Sequence, residues 1–263
     1  LSKLYDDNII KKNQILVSKK IFKKYNKEID PKYLKSFKIA IKNITDFHKR
    51  QLPKDIKINK DNLIKGILWK PIESVGLYVP GGLASYPSTL LMNVIPAKIA
   101  GVKRIVVMTP SFQGKFNPYT MALMDILGID EVYQIGGAQA IAALAYGTET
   151  IKPVDKIFGP GNAYVSEAKK QVFGKVGIDL IAGPSEIIVV ANKENNPKWV
   201  ATDLIAQAEH DAQAQSILIT DNEDFAKMVT TYIDYFLLNL PKKDIVKKSL
   251  RKFGIIIILK NLN

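Results

Sequence analysis

Between residues 75 and 190 the chain repeats one pattern: a short run rich in Val and Ile, a turn containing Gly or Pro, then a longer stretch with helical spacing. The runs Val75–Val79, Arg104–Met108, Glu131–Ile135, Lys156–Phe158, Asp179–Ile181 and Ile187–Val190 are predicted strands. Helices are predicted between most of them, over Ser88–Ala100, Tyr119–Leu127, Ala138–Tyr146 and Ala163–Phe173. Strands that are apolar on both faces and fed by helices require a parallel sheet buried on both sides, which makes this an α/β chain. The cycle continues with a helix over Trp199–Ala212, a strand over Ser216–Thr220, helices over Phe225–Leu238 and Lys242–Lys252, and a strand over Ile255–Leu259. The first seventy residues read as helices, with Leu34, Phe37, Ile39, Ile41, Ile44 and Phe47 at roughly helical spacing.

Composition removes several classes of function. There is no cysteine, so disulfides, thiolate metal sites and cysteine nucleophiles are excluded, and His48 and His210 are the only imidazoles. The net charge of +13 is uneven: residues 1–70 carry +12, residues 71–240 carry −5 and residues 241–263 carry +6. A basic end can neutralise phosphates, but only Arg50, Arg104 and Arg251 are arginines and no nucleic-acid motif accompanies the lysines. The expectation is a lysine-rich solvated face and no nucleic-acid partner. The charge-free run Ser74–Ala97 is long enough to span a bilayer, yet it contains Pro80, Gly81, Gly82, Pro87 and Pro96, so no membrane helix is expected. No secretion signal is visible, and the expected location is cytoplasmic. Leu1 at the start and a stop within a few residues of the strand Ile255–Leu259 read as truncation.

Four glycine-rich turns end predicted strands: Val79-Pro80-Gly81-Gly82, Gly136-Gly137-Ala138-Gln139, Gly159-Pro160-Gly161-Asn162 and Gly183-Pro184-Ser185-Glu186. Ligands of open parallel sheets collect at the carboxyl ends of strands, where glycine lets the backbone approach closely and helix N-termini present unpaired N–H groups. A phosphate or nucleotide suits that edge, although the G-x-G-x-x-G fingerprint is absent. Asn162 can cap a helix, hold a ligand, or do both. Gln139 begins an otherwise small and apolar helix, and Tyr78 lies inside an apolar strand as either a core aromatic or a ligand contact. Ser185 can donate to a ligand or close a turn. In Ala206-Gln207-Ala208-Glu209-His210-Asp211, Gln207 and His210 stand three apart and would share one helix face, able to converge on one ion. Zinc takes about four ligands, and no obvious remainder is present. His48, beside Lys49 and Arg50, reads as surface.

Together these motifs resemble one family, histidinol dehydrogenase. The resemblance rests on VGLYVPGG (75–82), PSTLLMNVIPAKIAG (87–101), GGAQAIAALAYGTE (136–149), VDKIFGPGNAYVSEAKKQV (154–172), IDLIAGPSE (178–186) and DLIAQAEHDAQAQ (203–215). In order and spacing it covers most of residues 73–220.

That resemblance implies a chemistry and a domain plan. Members are zinc-dependent homodimers that oxidise L-histidinol to L-histidine through an aldehyde-level intermediate with two NAD+. They contain two incomplete Rossmann-like domains with parallel sheets, one inserted into the other, preceded here by N-terminal helices. Residues 75–186 would be the inserted domain, and residues 1–74 with 187–263 the other. By the same resemblance, Tyr78, Gln139 and Asn162 would contact NAD, Ser185 would contact substrate, and Gln207 with His210 would bind substrate and ligate zinc. Proton transfer belongs to a Glu-His pair in a Pro-Glu-His-Leu motif, and the remaining zinc ligands are an Asp and a His that reaches across the dimer. None of these has a counterpart here, so residues 1–263 are expected to be a fragment without turnover. The alternative expectation is an inactive remnant that keeps the fold and nucleotide binding.

Overall fold

The structure, a computed structural model, describes residue 11 and residues 14–81, 86–181, 183 and 185–262. Gly82 and Pro184 of the expected turns, together with Leu1 and Asn263, lie outside the described residues. By packing, the chain divides into two units, Leu1–Ile181 and Ala182–Asn263.

In the first unit the Val- and Ile-rich runs form a five-stranded parallel sheet from β3 (Ser74–Tyr78), β4 (Arg104–Met108), β5 (Glu131–Tyr133), β6 (Lys156–Phe158) and β7 (Gly177–Ile178), in the order β5-β4-β3-β6-β7. Side chains alternate across the sheet. Val75, Leu77, Val79, Val107 and Val132 pack on one face against α3 (Pro87–Ile99) and α4 (Pro118–Ile126), through residues such as Leu90, Val94, Leu123 and Met124. Tyr78, Val106, Met108, Tyr133 and Ile157 pack on the other against α5 (Gly137–Tyr146) and α6 (Ala163–Val172), through Ile141, Leu144, Val165 and Val172. Helices on both faces and a sequence that builds outward from β3, then returns to its other side through β6, give the doubly wound Rossmann-like arrangement. The topological switch point lies between β3 and β6.

Two helices precede the sheet, α1 (Lys19–Glu28) and α2 (Pro31–Lys49). Phe22 of α1, 1% exposed, and Val17 belong to the same core as β3 and α3. The segment before α1 also lies along edge strand β5, with the Val17 amide donating to the Val132 carbonyl at 2.8 Å and the Gln134 amide to that of Ile15 at 2.9 Å. Such cover removes an unpaired sheet edge. Burial of Phe22 ties the N-terminal helices to the five-stranded sheet.

The first seventy residues are not all helical. Ile56–Lys60 (β1) and Leu63–Ile67 (β2) form an antiparallel hairpin whose register pairs Lys60 with Leu63. Asp61 and Asn62 make its two-residue turn with φ of 52° and 58°, the left-handed geometry that suits the twist of hairpin strands. The predicted strand over 179–181 is instead Gly177–Ile178, because beyond that point the Asp179 carboxylate accepts the adjacent Leu180 amide at 2.7 Å.

In the second unit β8 (Glu186–Val190), β9 (Gln215–Thr220) and β10 (Ile255–Ile258) form a three-stranded parallel sheet in the order β10-β9-β8. Ile187, Val189 and Leu218 face α7 (Pro197–Ala208) and α8 (Glu223–Leu237), which contribute Val200, Leu204, Phe225 and Val229. Val246 of α9 (Lys243–Phe253) packs with Ile205, Ala208 and Leu237. The alternate positions Ile188 and Val190 are exposed, as are all four residues of β10, so this sheet is covered by its own helices on one face. Among the described residues no helix is long and apolar enough to cross a membrane.

The amino edge of the large sheet is tied by Arg104. Its Nε and one terminal nitrogen each donate to Glu131 at 2.8 Å, and the guanidinium also reaches the carbonyls of Pro153 and Lys152. The bonds to Glu131 hold the Arg104 pKa above its ordinary value. Glu131→Gln breaks the ionic fork and is expected to cost about 1–3 kcal/mol of stability, read as a lower urea midpoint at unchanged slope. Burial, then the Glu131 carboxylate, also raises the Tyr133 phenol above its usual value. A raised folded-state value means that stability is fully present below the ordinary tyrosine pKa of about 10 and is lost as pH rises through the folded one. Tyr133→Phe is therefore expected to flatten the fall of unfolding free energy above that pH in denaturation series.

Candidate functional site

At the switch point three turns gather around Tyr78, the last residue of β3. Its side chain is 5% exposed, and its hydroxyl accepts the Gly137 amide at 3.0 Å, joining the end of β3 to the first turn of α5. Gly159, directly after β6, lies against the Tyr78 backbone: a Cβ there would come within 2.1 Å of the Tyr78 carbonyl oxygen. Gly159 also has φ of +118°, so both the approach and the conformation demand glycine. Tyr78 is thus a core aromatic and a tie between two turns at once.

Gln139 stands in the first turn of α5, with its amide over Gly137. Asn162 is the N-cap of α6, and its Oδ1 accepts the Val165 amide at 3.1 Å. That bond occupies the oxygen and leaves the Nδ2 amide, on an exposed side chain, directed by the cap. Two helix N-termini, those of α5 and α6, thereby meet the carboxyl ends of β3 and β6. Their combined dipoles and N–H groups favour an anion such as a phosphate.

Sequence reasoning missed two residues here. Lys169, 3% exposed, donates to the Gly159 carbonyl at 3.0 Å and forms an ion pair with Asp179, whose other carboxylate oxygen accepts the Gly159 amide at 2.9 Å. The available signal was the helix stripe Val165, Lys169, Val172, in which a lysine occupies an apolar position.

In the second unit, Ser185 leads into the amino end of β8. Its carbonyl accepts the Gln215 amide at 3.1 Å and the Gln207 Nε2 at 3.4 Å. α7 ends at Ala208, so Gln207 lies in its last turn while His210 lies beyond it, with its amide on the Gln207 carbonyl at 3.2 Å. The expectation that Gln207 and His210 share a helix face is corrected. Asp211 stops the helix, because its side chain accepts the Gln213 amide at 2.8 Å and its carbonyl accepts that of Ala214 at 3.0 Å. The Gln207 side chain thus meets Ser185, and His210 follows in the turn after the helix. Among the described residues no group of three His, Cys, Asp or Glu could hold a metal. Gln207 and His210 supply two donors where zinc needs about four, so the described residues do not complete a zinc site.

A cavity of about 600 Å³ lies elsewhere in the first unit and is lined by His48, Trp69, Met92, Pro96 and Phe158 among others. It contains none of the expected site residues, and His48, expected at the surface, is half-buried at its wall.

Comparison with known proteins decides the family. The family model for histidinol dehydrogenase matches residues 1–263. The chain belongs to the histidinol dehydrogenase family. It is 55% identical over 228 residues to histidinol dehydrogenase 1 of a Nostoc species, covering 86% of this chain and 53% of that protein. It is 54% identical over 233 residues to the histidinol dehydrogenase of Rhizobium meliloti, covering 88% and 54%. The crystal structure of the histidinol dehydrogenase from Elizabethkingia anophelis superposes with a TM-score of 0.91 at 37% identity, covering 99% of this chain and 60% of that one. The chain spans about half the length of the curated relatives it matches.

Gly159→Ala tests the close approach at the switch point of this histidinol dehydrogenase fold. Gly174, with φ of +97° and nothing within 4 Å of its would-be Cβ, serves as the control. Gly174→Ala should cost the left-handed strain alone, about 1–2 kcal/mol, while Gly159→Ala costs clearly more, compared by urea midpoints.

Proposed function

We propose that this chain is the dinucleotide-binding portion, with part of the substrate side, of an enzyme that oxidises L-histidinol to L-histidine through an aldehyde-level intermediate in histidine biosynthesis. The observation that supports it is the switch point between β3 and β6, where two helix N-termini meet and a glycine presses against Tyr78. When bound, NAD+ accepts one hydride at each of two steps, alcohol to aldehyde and hydrated aldehyde to acid.

The chain's own residues have binding and orienting roles. The amides at the start of α5 and α6 receive the pyrophosphate. Asn162 fixes the α6 terminus with one end of its amide and bonds the cofactor with the other. Gln139 bonds it from the first turn of α5, and Tyr78 holds the α5 turn in register through the Gly137 amide. Ser185, Gln207 and His210 meet the substrate, and Gln207 with His210 would be two of the donors to zinc. The other donors, and the acid and base, are assigned to no described residue. A general base must lie within hydrogen-bond reach of the proton it removes, and nothing described at the switch point is proposed for that role. Residues 1–263 alone are therefore proposed to bind NAD without turnover; the complete enzyme is a cytoplasmic homodimer.

Calorimetric titration of the chain with NAD+ tests this reading. Saturable binding is expected, weakened about tenfold by Asn162→Ala through loss of one ligand bond and the helix cap. No heat at millimolar NAD+, from a chain shown to be folded by circular dichroism, would remove the dinucleotide reading. NADH formation from L-histidinol by residues 1–263 alone would overturn the assignment of acid and base to other residues.

A further inference from the structure

Lys169 is the one charged side chain buried among the described residues. It sits two turns into α6 on the stripe shared with Val165 and Val172, and its stem points back toward the helix N-terminus, as helical side chains do. There the ammonium meets the Gly159 carbonyl and the Asp179 carboxylate, while Asp179 also accepts the Gly159 amide. The polar groups of Gly159 are thus held by two side chains of opposite charge, at the residue whose backbone presses on Tyr78.

A buried ion pair is a poor device for stability, since apolar residues of similar volume often serve as well. What apolar residues cannot do is bond both the N–H and the carbonyl of a residue that has just left its strand. We propose that Lys169 and Asp179 are positioning residues that fix the Gly159-Pro160-Gly161-Asn162 turn in its ligand-receiving geometry. The proposal rests on the dinucleotide reading above and adds to it the residues that set cofactor affinity from beneath the turn. The pair is neutral as a unit, so it acts through geometry. Lys169→Met and Asp179→Asn then change affinity in the same direction. A direct electrostatic role would give opposite signs, because Asp179→Asn leaves a bare cation under an anionic ligand and should strengthen binding.

The test titrates the 263-residue chain and three variants with NAD+, beside urea midpoints and amide hydrogen exchange. Lys169→Met and Asp179→Asn are each expected to weaken binding about tenfold or more, while amides of Gly159 and Gly161 exchange faster than those of β4. The double variant Lys169→Met/Asp179→Leu removes the charges together, so its urea midpoint should return toward that of the unchanged chain while its affinity stays low. It also stands in for single variants that do not fold. Recovery of affinity along with stability in the double variant would overturn the proposal, as would tighter binding by Asp179→Asn. If the unchanged chain binds no NAD+, the dinucleotide reading falls and exchange decides the rest: faster turn amides in the variants retain the positioning role, and unchanged exchange overturns it.

Discussion

Strand β3 is hydrogen-bonded along both edges, to β4 and β6, and packed on both faces, and the layout of the first unit follows from that double constraint. With Val75 and Leu77 given to one face and Gly76 and Tyr78 to the other, α5 must come close over Gly76, where a Cβ would lie 2.7 Å from Leu144. Tyr78 then ends the strand where three turns converge. Because β6 pairs on the far side of β3 from β4, the turns after β3 and β6 open away from each other's helices, and a crevice forms between them.

The polar devices of this unit are divided between the two ends of the sheet. Arg104 and Glu131 begin β4 and β5, and their fork ties the amino edge to the 152–153 backbone. At the carboxyl edge, Lys169 and Asp179 hold the N–H and the carbonyl of one residue, Gly159, and Asn162 caps a helix. Ion pairs that join strands can be exposed in part without consequence for ligands. A pair that bonds backbone N–H and carbonyl groups, like Lys169–Asp179, is largely buried, since water would otherwise compete for them.

The second unit works under a different limit. Its three parallel strands bury Leu218 and their neighbours under α7 and α8 but leave Ile188 and Val190 exposed. At the amino end of its sheet, the Ser185 carbonyl accepts bonds from Gln207 and Gln215, and the His210 amide bonds the Gln207 carbonyl just past the end of α7. Among the described residues no group of three His, Cys, Asp or Glu gathers there to hold a metal.

Much of this was legible in the sequence. Alternating Val- and Ile-rich runs and helical stretches determine parallel α/β layers, because only strands buried on both faces are apolar at successive positions, and most element ends agree within two residues. The glycine-rich turns after β3, β5 and β6 likewise mark the carboxyl edge of the large sheet, since glycine is needed where a backbone comes close. The hairpin at Asp61–Asn62 was hidden among lysines that also suit a helix, and the end of α7 depended on an Asp211 turn that competes with helical bonding. Strand order, the switch point and the Lys169–Asp179 clasp were decided by tertiary structure alone. Spacing along the chain reports which residues share a face of one element, while the meeting of Lys169, Asp179, Gly159 and Tyr78 depends on which strands lie side by side, and no local pattern encodes that.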